Sequence, residues 1–294
     1  MADNFLEKHY AEYEAKRNAL QQSNRLGKKQ ISRLHRFSSS IEGIALPTTF
    51  TDPFNYTPHP LCRLATDEVM RYIDSHPEWH EELQQGKMFG VLVVKNVVGK
   101  LGFLAAFSGL LNKQNDIPYF VPAVYDMLNP NGHFKTEERE ISAINHRIAD
   151  MEGNIRPRPT GTPSNLEGEF SSCAHHAKTS SNLDIITSLK QERKKRSTAL
   201  QNWLFEQFVM LNARGERKNL IEIFQEQEHR MPPGGAGECA APKLLQYAFL
   251  NKLKPIAMAE FWWGDSPKGE ERKHGEFYPA CQQKCKPILK YMLQ

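Results

Sequence analysis

The stretch PPGGAGECAAPKLLQYAF, residues 232–249, decides how the rest of the chain is read. Pro232, Pro233, Gly234, Gly235 and Gly237 cannot sustain a regular element, whereas Leu244, Leu245, Ala248 and Phe249 recur at helical spacing. The spacing predicts a helix from Ala240 onward, with Cys239 at its N-terminus. Free backbone N–H groups and the positive end of the helix dipole at that point favour a thiolate, so a cysteine there is a candidate nucleophile or metal ligand. The competing reading is a small, inert core residue.

Working outward, KPIAMAEFWWG (254–264) reads as a buried strand, and GEFYPACQQKCKPILKYML (275–293) as a short extended entry, a proline and a helix opening at Cys281. Cys281 and Cys285 are four residues apart, one turn on a common face. With Cys239 they form three thiols near helix starts. Zinc takes tetrahedral N and S ligands, and catalytic sites use three protein ligands plus water.

N-terminal to this unit, GKMFGVLVVKNVVGKLGFLAAFSG (86–109) carries two apolar, β-branched runs around a polar, glycine-containing connection, a hairpin signal. Both runs are apolar at nearly every residue, so both faces of the hairpin should be covered. Leu64 to Leu83 reads as helix, residues 37–61 as an irregular, packed segment, and FKTEEREISAINHRIADME (134–152) as a helix with Ile141, Ile144 and Ile148 in register. Residues 153–182 have linker composition, and a long helical stretch from Leu183 to Glu228 is interrupted near Gly215.

The expected organisation is a basic helical leader (1–36), a first part of an α/β domain (37–133), a helical insertion (134–230) and a second part of the domain with the cysteine motifs (231–294). This order of helix, hairpin, cysteine helix, strand and cysteine pair resembles the cytidine-deaminase-like fold, a mixed sheet with flanking helices, here with a long helical insertion. In that family the first motif reads H/C-A-E and the second P-C-x-x-C, giving a zinc-bound water and a glutamate that shuttles its proton. Here Cys239-Ala240-Ala241 puts alanine in place of the glutamate, and three residues separate Cys281 from Cys285 in place of two. Glu238 is the neighbouring carboxylate, although one residue before the ligand it points to another side of the helix start.

Bulk properties bound the partners. The chain of 294 residues is 39% hydrophobic, enough for a core, and contains no 18-residue apolar run to span a membrane. Its first residues are charged and lack an apolar signal core, so the expected location is cytoplasmic and the five cysteines are expected as thiols or ligands. Between Lys16 and Arg36 stand seven basic residues, Lys16, Arg17, Arg25, Lys28, Lys29, Arg33 and Arg36, and no acid. With Lys190, Arg193, Lys194, Lys195 and Arg196 they are candidates for neutralising RNA phosphates. SSCAHHAK (171–178) offers Cys173, His175 and His176 as a second ligand group, which the linker composition favours as a mobile loop. His146, Arg147 and Asp150 belong to an amphipathic helix, and Phe261, Trp262 and Trp263 to core and rim.

The blocks FNYTPHPLC, GKMFGVLVV, GFLAAFSG, FVPAVYDML, EEREISAIN, RSTALQNWLFEQF, LNARGE, GAGECAAPKLLQYAF, AEFWWG and HGEFYPACQQKC, spread over about residues 50–293, resemble the N-terminal extension of bacterial RluA-type RNA pseudouridine synthases. The resemblance implies a catalytic synthase domain following the extension. Its catalytic loop reads H-R-L-D, with the aspartate attacking a flipped uridine, and this tetrapeptide does not occur in the chain. What is implied here is an accessory module that grips ribosomal or transfer RNA, or a separate synthase domain, without isomerase chemistry of its own. The competing expectation is a zinc-dependent, deaminase-like enzyme acting on a nucleobase or nucleotide. Lacking a glutamate at 241, the chain is expected not to deaminate.

Overall fold

The structure, a computed structural model, describes residues 32–155, 172–267 and 269–294, with the side chains of 154–155 and 172–181 left out. Residues His35–Gln294 form one compact unit.

Four strands build one sheet: β1 (Lys87–Lys95), β2 (Leu101–Phe107), β5 (Lys254–Trp263) and β6 (Phe277–Tyr278), in the order β2-β1-β5-β6. A separate two-stranded ribbon pairs β3 (Val209–Leu211) with β4 (Arg217–Asn219). Seven α-helices accompany them among the described residues: α1 (Pro60–Asp74), α2 (His80–Gln84), α3 (His133–Ile155), α4 (Ser172–Gln207), α5 (Leu220–Glu228), α6 (Ala240–Leu250) and α7 (Cys285–Met292).

The expected hairpin is β1–β2, and both faces are covered as its composition requires. On one face Phe89, Val91, Val93, Phe103, Ala105, Ala257, Ala259 and Phe261 pack with Leu61, Ala65, Val69 and Ile73 of α1. On the other, α6 lies against β1, β2 and β5 and buries Leu244, Leu245 and Ala248. Opposite side chains of each strand thus meet a different helix layer. Burying a leucine on such a face contributes about 2 kcal/mol.

One difference from the sequence expectation is the sheet itself, which is antiparallel at every pairing rather than mixed. β1 turns directly into β2, and β5 returns alongside β1 in the opposite direction after the long excursion through residues 108–253. Leu64 to Leu83 is not one helix. Ser75 caps α1, and Pro77 starts a 3-10 turn before α2, because proline favours a helix start over a helix interior. The presumed linker at 153–182 is narrower, since α3 runs to Ile155 and α4 begins at Ser172. The helical stretch 183–228 is interrupted by the β3–β4 ribbon, whose turn places Gly215 at φ +87°. Asn219 then starts α5 with a reciprocal capping box to Glu222.

The insertion has its own small core: Ile144 and Ile148 of α3 meet Ile186 and Leu189 of α4. His146, Arg147 and Asp150 are exposed on the far side of α3, as the amphipathic reading requires. Phe261 is buried in the core, with Trp262 and Trp263 each 8% exposed at its rim.

Candidate metal centre

Cys239 is the N-cap of α6, at φ −68° and ψ 161°, and the loop before it is forced into place by glycine. Gly237 adopts φ +85°, and a Cβ there would stand 2.7 Å from Phe208 Cδ1. Only a residue without a side chain lets the loop lie this close to Phe208 while taking a left-handed turn. The loop is tied down further by Gly109 N–H donating to the Glu238 carbonyl at 3.0 Å.

Cys281 arrives by another route. Helix α7 opens at Cys285, not at Cys281, which precedes it in a turn. The pull of neighbouring segments explains the later start: Ala280 N–H donates to the Pro53 carbonyl at 2.9 Å, and Arg230 donates to the Gln283 carbonyl at 2.9 Å. The turn brings Cys281 Sγ within 3.3 Å of the Cys285 N–H.

The two routes converge. The sulfurs of Cys239, Cys281 and Cys285 lie within 4.8 Å of one another, a group that can hold a metal ion. Zinc–sulfur bonds in a tetrahedron place sulfurs about 3.8 Å apart, so small side-chain movements close this set around an ion. The thiols also interact electrically. Hydrogen bonds from Cys239 and then Cys285 hold the Cys281 thiol far below its ordinary range. In return, the hydrogen bond to Cys281 pushes Cys239 up to about 12 and the bond to Cys239 raises Cys285. Cys281 is thereby the sulfur of the three that its neighbours favour as thiolate.

Beside this group stands a residue that the motif comparison overlooked. Glu260, in the middle of β5, is only 4% exposed, and its Oε1 accepts from the Ala241 N–H at 3.3 Å. A carboxylate from the neighbouring strand therefore lies at the backbone of position 241 of α6. Gly90 of β1 is paired directly with Glu260, and a Cβ at 90 would lie 3.1 Å from Ala240 Cβ and 3.5 Å from Glu260 Cγ. The missing side chain makes room for both the helix start and the carboxylate. Burial pushes the Glu260 carboxyl up, the charge on Cys281 adds to this, and the Ala241 N–H and Arg272 oppose it, leaving it at about 7. One signal in the sequence marked it: a lone acid among the otherwise apolar residues 255–263.

Tyr56, from the irregular segment before α1, fixes the strand that carries Glu260. Its hydroxyl accepts from Glu260 N–H and donates to the Tyr278 carbonyl, both at 2.9 Å. Lys243 lies one turn into α6, its Nζ donating to the carbonyls of Phe107 at 2.9 Å and Gly109 at 3.1 Å. Burial lowers it to about 8, although the charge of Glu238 works the other way. Glu238 is thus placed beside a lysine, and its own carbonyl anchors the Gly109 loop.

The basic candidates are distributed differently from the expectation. Lys16, Arg17, Arg25, Lys28 and Lys29 lie outside the described residues, as do the side chains of Cys173, His175 and His176. Arg36 is exposed, whereas Arg33 is buried. On α4, Lys190 pairs with Glu152 at 2.7 Å, Arg193 donates to Asn145 at 3.1 Å, and Arg196 pairs with Glu137 at 3.1 Å. These three tie α4 to α3, and Lys194 and Lys195 are left exposed. No described helix is long and apolar enough to cross a membrane. The chain matches no family model, no curated protein and no solved structure.

Proposed function

We propose that this chain is an RNA- or partner-binding accessory module of an RluA-type pseudouridine synthase system, built as a deaminase-like scaffold around one zinc ion. The observation that supports it most is that four of the blocks resembling those extensions come together at the centre. GAGECAAPKLLQYAF brings Cys239, HGEFYPACQQKC brings Cys281 and Cys285, and GKMFGVLVV and AEFWWG bring the facing Gly90 and Glu260. Cys239, Cys281 and Cys285 would hold the metal and so lock the start of α6, the turn before α7 and the edge of the sheet into one unit. The test is to mix purified chain with an RluA-type synthase domain and RNA. Pseudouridine formation should rise above that of the domain alone, and Cys239→Ser should remove both the zinc and the stimulation. No RNA binding, no domain binding and no stimulation would defeat the proposal.

A second reading, a hydrolytic deaminase of a nucleobase or nucleotide, is favoured by Glu260. Zinc held by Cys239, Cys281 and Cys285 would supply an acidified water to such a reaction. Glu260 Oε1 is the group that would take a proton from the attacking water and return it to the departing nitrogen. Such general acid/base help contributes about a hundredfold to ten-thousandfold. Gly90 and Ala240 leave this carboxyl room, and Tyr56 holds its backbone. Ammonia release from cytosine- or adenine-containing substrates, abolished in Glu260→Gln at full zinc content, supports this reading. No release from zinc-loaded protein leaves Glu260 as the cap of α6.

A further inference from the structure

The end of the sheet away from the metal centre carries a second feature. Here β1 turns into β2 through Asn96-Val97-Val98-Gly99, and Val97 and Val98 are 79% and 71% exposed. The turn is rigid: the Asn96 side chain accepts from Val98 N–H at 3.1 Å and Lys100 N–H at 2.9 Å, and Gly99 takes φ +79°. These valines are therefore held outward by the turn's own hydrogen bonds.

Lysines surround them. Lys100 precedes β2, Lys95 ends β1 and Lys254 begins β5, so three adjacent strands present a lysine at the same end of the sheet. Lys252 stands in the preceding turn, next to Leu250, which is 46% exposed. Lys95 and Lys254 are direct partners in the ladder, an arrangement that like charges make unfavourable. None of the four joins an ion pair among the described residues, and segments 95–100 and 250–254 contain no acid. Repulsion that the fold does not relieve points to an anionic partner.

We propose that this hairpin tip is a contact surface for structured RNA, with Lys95, Lys100 and Lys254 on phosphates and Val97 and Val98 against sugar or base edges in a shallow groove. The choice of RNA rests on the RNA-modification reading above. Three strands set the lysine row about 10 Å wide, and their long side chains reach phosphates on both sides of a groove. The minor groove of an RNA helix is wide and shallow enough to admit such a tip. A protein partner fits less well, since a stable interface takes about 800 Å² from each side and a two-valine tip offers far less. A lipid surface fits less well because no tryptophan or tyrosine stands at the tip to anchor in the interface.

The test measures binding of the full chain to a labelled RNA duplex of about 20 base pairs across a salt series. The variants are K95Q/K100Q/K254Q and V97S/V98S. Six residues of β5, about 20 Å, separate Lys254 from Glu260, so zinc content and thermal unfolding should be unchanged in both. The lysine variant should bind at least about tenfold more weakly, and its salt slope should fall by about three. The valine variant should bind severalfold more weakly at an unchanged slope. Wild-type binding with both variants unaffected overturns the tip assignment and leaves the RNA reading standing. Absence of RNA binding by the wild type overturns both, and binding to phosphatidylserine vesicles in place of RNA transfers the tip to a lipid partner.

Discussion

Replacing Glu260 by glutamine should stabilise the metal-free protein at pH 8 and not at pH 4.5. The carboxyl is fully enclosed between β5, Gly90 and the start of α6, and burial raises it from 4.5 to about 7. Below pH 4.5 the native and unfolded chains both carry the proton. As pH rises toward 7 the unfolded chain releases it first, so the native state loses stability across that window and carries the whole penalty above it. At 1.36 kcal/mol per pH unit the penalty is about 3.4 kcal/mol. Glutamine keeps an acceptor for the Ala241 N–H and removes the charge, but buries an amide donor at a cost of about 1 kcal/mol. Urea unfolding with a chelator and reductant present should therefore show Glu260→Gln about 2 kcal/mol more stable than wild type at pH 8. At pH 4.5 it should be equal or slightly less stable. A variant less stable than wild type at pH 8 would mean that the carboxylate is ionised and well paired, and the account of this site would be wrong.

Other consequences are open to direct measurement. Elemental analysis should find about one zinc per chain, with Cys239→Ser, Cys281→Ser and Cys285→Ser each losing it, because each supplies one of three sulfurs; metal-free wild-type protein counts against the centre. Lys243 falls from 10.5 to about 8 on folding, so below pH 8 the native state carries the cost of a buried cation, which is relieved as pH rises to 10.5. The stability of wild type relative to Lys243→Met should thus grow by about 3 kcal/mol over that range, and a constant difference would show Lys243 to be well solvated. Gly264→Ala should destabilise by about 3 kcal/mol, since its Cβ would meet the Leu83 carbonyl at 2.0 Å with φ at +93°. Gly153→Ala, with nothing within 4 Å on an exposed helix face, should instead stabilise by about 0.5–1 kcal/mol.

Local patterns in the sequence were sufficient for elements whose structure depends on near neighbours. The β1–β2 hairpin follows from two apolar runs around Asn96 to Gly99, and the start of α6 at Ala240 follows from glycines giving way to a helical repeat. The apolar face of α3 was equally visible in the spacing of Ile144 and Ile148, whereas its contact with Ile186 and Leu189 of α4 was not. Patterns of this kind are written in burial periodicity and backbone freedom, which are properties of consecutive residues.

Contacts between distant segments decided the rest. The delayed start of α7 depends on Pro53 and Arg230 gripping residues 280 and 283, which no helical propensity near Cys281 could reveal. By motif spacing, which counts only along the chain, position 241 lacks a carboxylate. Glu260 reaches Ala241 across the sheet, a relation created by strand register and by the missing side chain of Gly90. The basic residues of α4 were legible as charge, but their partners Glu137, Asn145 and Glu152 come from α3, and only packing joined them. The three cysteines were nameable as a set from their positions at two element starts; that their sulfurs lie within 4.8 Å was decided by the tertiary structure, because the 41 intervening residues leave the meeting of Cys239 with Cys281 to the packing of α6, β5 and α7.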